Sequence, residues 1–227
     1  MIDPAVYREY TRARIGEVGD GVMLTRGERF EGFLARIEDA GLRDIARHWN
    51  DARQKGSQGD KARLNDAQAH DGANSQPGSR RMAAWRDIDP SQIKRHLPII
   101  WVWRYDRVAN EFIGKLSGEA INLALRRSLR GVPMQEFFAA DSYDAIFARC
   151  HRVVTEPCFS RDSGPVYIHR ERTGTGERII LPLADDGETG DGIIGATVYD
   201  LKSASGTHLP HAQSAQYFSE QMEYYQL

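Results

Sequence analysis

Long apolar runs are missing from this 227-residue chain. No stretch approaches the ~20 consecutive apolar residues a spanning helix needs, so no membrane span is expected. Cysteine is scarce. Cys150 and Cys158 alone make a poor disulfide framework, which points to a reducing, cytoplasmic setting. An excess of one charge is missing too. Thirty Lys and Arg face 32 Asp and Glu, a formal net charge of -2, so a nucleic-acid partner is not expected. The opening MIDPAVYREYTRARIGE has no apolar core of a secretory signal, and none is expected. What is present is 41% hydrophobic residues, enough to build one domain of ordinary size with appendages.

The first 52 residues read as an N-terminal helical segment. A short helix is expected over 5–14. Thr25-Arg-Gly-Glu28 then has the capping-box pattern, and Phe30, Phe33, Leu34, Ile37, Ile45 and Trp49 follow at the spacing of one helical face. The spacing predicts an amphipathic helix to about residue 52, with Gly41 as a weak point or a break. Its stripe is expected to pack on its own domain or on a second subunit, and Phe33 and Ile37 are the interface candidates in the second case. Residues 53–81 are polar, with Leu64 the only large aliphatic side chain, and read as a flexible linker. Gly59-Asp-Lys61 lacks the spacing of a phosphate-binding loop and the strand before it.

From residue 82 to 202 the chain alternates short apolar runs with helical stretches. Asp89-Pro90 suits a helix start. Strands are expected over 99–105 and 111–116, joined as a hairpin. Helical stretches follow over 117–125, 134–138 and 141–155, with Ser117 or Gly118 as a cap and Pro157 as a stop. Residues 158–162 read as a short strand or loop. Further strands are expected over 166–172, 177–183 and 193–201, the first two joined by a turn at Thr173-Gly-Thr-Gly176. Arg126, Arg127 and Arg130 form either a solvated helix end or an anion patch. Residues 203–227 read as a polar tail with Tyr217, Phe218 and Met222 as contacts.

Several segments of this stretch, in their order, carry a family likeness. They are Arg86-Asp-Ile-Asp-Pro, His96-Leu-Pro, Gly114-Lys-Leu-Ser-Gly, Leu129-Arg-Gly131 before Phe137, and Ile180-Leu-Pro-Leu-Ala-Asp-Asp-Gly187, with His48-Trp49 as a preceding aromatic element. Over residues 45–201 the chain resembles a PAS domain, of a short alphaproteobacterial type with little or no attached output domain. The polar insertion 53–81 departs from that pattern. The resemblance implies an α+β fold: a five-stranded antiparallel sheet with helices on one face over a small cavity, here with the N-terminal amphipathic helix added.

The function expected is a sensory or regulatory protein that binds a small apolar ligand or a partner protein, works as a homodimer, and signals through protein–protein contact. Phe112, Leu116, Ile121, Leu125, Phe138, Ile146, Phe147, Cys150, Ile180 and Ile194 are the expected cavity lining. Trp101, Trp103 and Tyr105 alternate along one strand and share a face. If exposed, that face is an interface patch, and it or the N-terminal helix is the basis of a second reading as a ligand-free scaffold. A third reading, a small enzyme, would use Tyr143 with Asp144 or His169 with Glu171, but neither pair forms a recognisable catalytic set, so no enzyme is expected. The cofactor is unknown. His151 and His169 are the haem candidates, and Cys150 lies on an apolar helical stripe rather than in a flavin-reactive motif, so haem and flavin are not expected. No Cys/His set has zinc spacing, and the carboxylates at Asp185, Asp186 and Glu188 fall short of a calcium loop, so no metal is expected.

Overall fold

The strands come from the aromatic and β-branched runs IWVWRYD, EFIGKLS, RIILPL and GIIGATVY, residue types that fit a pleated surface. A computed structural model of the chain describes residues 26–71, 81–138, 140–169, 172–203 and 221–227, and the account below concerns these. β1 (Ile100–Asp106) and β2 (Glu111–Ser117) form the expected hairpin. Asp106 Oδ1 accepts the backbone N–H groups of Val108 and Ala109, and Asn110 takes a positive φ of 53° to close the turn. β3 (Cys158–His169) merges the short strand or loop expected at 158–162 with the start of the strand expected over 166–172, β4 (Arg172–Leu183) begins earlier than the strand expected over 177–183, and β5 (Gly192–Ser203) takes in the strand expected over 193–201.

A sixth strand, β6 (Gln221–Gln226), joins the edge of β3, so the sheet has six strands, ordered β2-β1-β5-β4-β3-β6 and antiparallel throughout. The expected polar tail therefore ends in a paired strand. Tyr217 and Phe218 lie outside the described residues. The expected turn at 173–176 is also corrected: those residues are paired strand, and His169 partners Arg172. Gly176 is there for space. A Cβ on it would sit 1.9 Å from the Val198 carbonyl oxygen of the neighbouring strand.

The N-terminal stripe forms two helices, α1 (Arg26–Arg36) and α2 (Ala40–Asp71), not one. Asp39 makes the break by capping α2, its Oδ1 accepting the Leu42 N–H at 2.9 Å. Gly41 lies in the first turn of α2, close against the His96 ring, and does not break the helix. α2 continues to Asp71, so residues 53–71 of the expected flexible linker are helix. They are rich in Ala, Arg, Lys and Gln, which propagate a helix without any apolar face to bury. The rest of that segment, 72–80, lies outside the described residues, as does the helix expected over 5–14.

The sheet is covered on both faces. α1 and α2 pack on one side, where Phe33 stacks on Phe159 at 5.0 Å and Trp49 meets the same ring edge-on at 5.1 Å. α3 (Glu119–Leu125), α4 (Met134–Phe137) and α5 (Ala140–Thr155) cover the other. α3–α5 are thus the helices expected on one face, and the N-terminal stripe packs on its own domain across the other, which corrects the proposed interface residues. Phe33 and Ile37 are 0% and 1% exposed beneath the sheet's own helices. Trp101, Trp103 and Tyr105 do share one face, as their alternation requires, but that face lies beneath α3–α5 and is buried. There is no exposed tryptophan patch.

Candidate functional site

Alternation along the strands decides what faces α3–α5. On β1 it is Trp101, Trp103 and Tyr105; on β4, Arg178 and Ile180; on β5, Ile193, Thr197 and Tyr199. Helix α5 supplies Ile146, Arg149 and Cys150 at helical spacing, and α3 supplies Ile121 and Leu125. These elements line a half-open cavity of about 40 Å³, room for roughly three waters.

Six of the ten expected lining residues surround it: Ile121, Leu125, Phe138, Ile146, Cys150 and Ile180. Phe112 and Phe147 belong to the same apolar cluster but pack on Tyr105, His151 and each other, away from the cavity wall. Leu116 is 43% exposed. An irregularity in the β1–β2 pairing, where Val102 partners Leu116 but Trp103 partners Gly114, takes it off the alternation begun at Phe112. Ile194 has the opposite parity on β5 and packs beneath α1 and α2. Trp101 and Trp103, expected at an interface, line the cavity instead.

The residues missed are Leu129, Arg149, Arg178, Thr197 and Tyr199. Spacing could have found the arginines. Arg149 is three residues after Ile146, and Arg178 two before Ile180. Arg149, Arg178 and Asp162 are 8%, 5% and 1% exposed. Asp162 stands on β3 outside the cavity wall, cross-strand from Arg178. Its Oδ2 accepts from Arg149 Nη1 at 3.1 Å and lies 3.7 Å from Arg178 Nη1. Arg149 Nε, Asp162 Oδ1 and Ser160 Oγ are buried without a hydrogen-bond partner. Trp101 Nε1 donates to Thr197 Oγ1 at 2.9 Å, and Thr197 and Tyr199 share the cavity-facing side of β5.

Behind this wall the strands carry a second ion pair on their other face. Arg161 Nε donates to Glu177 Oε1 at 2.6 Å. Glu177 also accepts the backbone N–H groups of Glu38 (3.0 and 3.1 Å) and Asp39 (2.8 Å), where α1 meets α2. Arg161 and Glu177 are the chain neighbours of Asp162 and Arg178, so two buried ionic groups sit back to back through β3 and β4.

Burial pushes the Cys150 thiol up to about 12, which leaves it a small apolar residue and not a nucleophile. His151 stacks on Phe147 at 5.4 Å and meets Tyr105 edge-on, outside the cavity wall. The side chains of His169 and Glu171 lie outside what is described. Tyr143 is half-buried, and burial first, then Glu111 and Asp144, raises its pKa, the wrong direction for a base. Among the described residues no group of three or more His, Cys, Asp or Glu could hold a metal. In the acidic loop, Asp186 accepts the N–H groups of Glu188 and Thr189, and Asp185 pairs with Arg104. No described helix is long and apolar enough to cross a membrane.

Segments quoted for the family likeness meet in space. His48 Nε2 accepts the Asp89 N–H at 3.0 Å, and Trp49 Nε1 donates to the Pro182 carbonyl at 2.7 Å. Burial lowers the His48 pKa, in keeping with a neutral, accepting ring. In comparisons with known proteins, no curated protein and no solved structure matches. A family model described as PAS domain matches residues 39–198. That span runs from the Asp39 cap of α2 to Val198 on β5, and takes in the cavity lining except Tyr199 while leaving α1 and β6 outside. With more than half of its length matched and an antiparallel sheet carrying helices, the chain belongs to the PAS-domain family.

Proposed function

We propose that this protein is a PAS-type regulator that binds a small ligand between the sheet and α3–α5 and signals through a partner protein. In broad terms the family makes it a sensory or regulatory signalling protein, and the family's members are usually not enzymes. The observation that carries the finer reading is the cavity, a mostly apolar space with a few convergent polar groups. Its size suits a ligand of a few non-hydrogen atoms; haem and flavin are not part of the proposal.

Occupancy would be passed through the sheet. A ligand that draws on Arg149 or Arg178 changes the charge around Asp162, and the adjacent Arg161–Glu177 pair holds the α1–α2 joint. Ligand binding then acts by shifting the population of two arrangements of that joint. The partners proposed are a signalling protein and a second copy of the chain, in the cytoplasm. The scaffold reading has lost the exposed tryptophan face, one of the two surfaces it drew on.

Native mass spectrometry of freshly purified protein, with an absorption spectrum of the same sample, tests the reading. An adduct of defined small mass is the expected result. A bare protein whose melting temperature is raised by no molecule of the cavity's size would overturn it.

A further inference from the structure

We infer that the cavity takes a short-chain carboxylate, its anionic end on Arg149 and its alkyl end on the apolar wall. The inference rests on the cavity being a ligand site, as proposed above, and names the class of ligand. Charge is the first ground. Arg149 lines the cavity while buried, and Asp162, which stands outside the cavity wall, holds its Nη1. A buried charge is stabilised when its remaining donors are also satisfied.

The second ground is a specific orphan. Arg149 is 8% exposed, yet its Nε has no hydrogen-bond partner, while Nη1 is held by Asp162. A guanidinium fixed at one nitrogen with another N–H unused suits an oxygen anion, because charge-assisted hydrogen bonds are the strong ones. Arg178 has further interactions of its own, so the case stands on Arg149.

Size and polarity narrow the anion. A cavity of about 40 Å³ holds roughly three to five non-hydrogen atoms. Ile121, Leu125, Ile146 and Ile180 line it, and would desolvate an inorganic anion without any return. A carboxylate with one or two carbons beyond it sets those carbons against the same side chains.

The probe is sodium propionate, titrated into the full chain at constant ionic strength and followed by calorimetry and by the Trp101 indole N–H resonance. Propionamide has the same shape without charge, and sodium nitrate has charge without the alkyl end. Propionate is expected to saturate and to bind roughly ten- to a hundredfold tighter than propionamide. Arg149→Gln should weaken propionate at least about tenfold and leave propionamide within about twofold. If Arg149→Gln does not fold, Leu125→Phe decides. It crowds the alkyl end without touching the ion set, and should weaken both organic probes together.

Equal binding of propionate and propionamide would remove the carboxylate assignment and leave the cavity as a neutral-ligand site. Nitrate binding as tightly as propionate would make it an inorganic-anion site and also remove the assignment. No binding by any probe, with Leu125→Phe changing nothing, would remove the assignment and the cavity reading together.

Discussion

Glu177→Ala is the sharpest perturbation of the link between the sheet and its N-terminal helices. The Glu177 carboxylate is 6% exposed and receives the Arg161 guanidinium at 2.6 Å and the N–H groups of Glu38 and Asp39. Alanine leaves Arg161, itself 3% exposed, with Glu38 at 3.2 Å and with Glu223 across the β3–β6 pair, which Arg36 already holds. Glu38 is 85% exposed on its side chain, and so exposed a partner contributes little. Breaking a buried ion pair by removing one partner costs about 3–5 kcal/mol. The two stranded N–H groups add about 1 kcal/mol, because water reaches them at the helix joint. The expected loss is about 4–6 kcal/mol, read as a fall in urea midpoint by tryptophan fluorescence. Glu177→Gln keeps an acceptor for the N–H groups and should cost about half as much. Combining Glu177→Ala with Arg161→Ala should cost at least about 2 kcal/mol less than the sum of the two single changes. A loss below about 1 kcal/mol for Glu177→Ala, or strict additivity in the double variant, would refute the view that this carboxylate anchors the joint.

Gly195→Ala places a Cβ 2.1 Å from the Trp101 indole, and should cost more than about 2 kcal/mol in chemical denaturation, with partial recovery when Trp101→Phe is added. Full tolerance of the alanine would mean the ring is not held there. Stability should also fall at both ends of the pH scale. Burial lifts the Cys150 and Cys158 thiols to about 12 from an ordinary 9.0, so the unfolded chain loses these protons first, and stability present below pH 9 drains away as pH climbs towards 12. His48 is depressed by burial below its ordinary 6.5, so the unfolded chain takes up that proton first, and stability falls as pH drops through the mid-6 range and below. Denaturation midpoints that stay flat from pH 8 to 11 would contradict the alkaline limb. Removing residues 1–52 uncovers Phe159, Ile179 and Leu181, and light scattering should show aggregates, not a clean monomer.

Which side chains share a strand face was legible in the sequence; what covers each face was not. Trp101, Trp103 and Tyr105 fall together as alternation demands, and their burial could have been read from the run itself. In IIWVW and ERIILPL both parities are apolar, the pattern of strands buried on two sides. The α1–α2 stripe was the missing cover, and its Phe33, Ile37 and Trp49 are buried against the sheet. The break between those helices was hidden because Gly41 drew attention, while the agent was the short side chain of Asp39. The cavity residues from helices followed from spacing, but Arg149 was passed over because charge normally signals solvent. β6 offered almost no local signal. Its strand character comes from the β3 edge that it pairs with, a long-range contact that no window of sequence contains.

That last strand has a bearing on how the protein is made. β3 is hydrogen-bonded to β4 on one side, and among the described residues, 221–226 are the ones that occupy its other edge. During synthesis every other strand of the sheet emerges first, and β3 then presents its free amides and carbonyls beside Phe33 and Phe159. An open edge next to exposed aromatic rings invites pairing with another nascent chain. When Tyr225 arrives against Phe33, and Glu223 reaches Arg36, both the edge and α1 are closed in a single event. A short C-terminal deletion should therefore reduce soluble yield far more than the few side chains it removes would suggest.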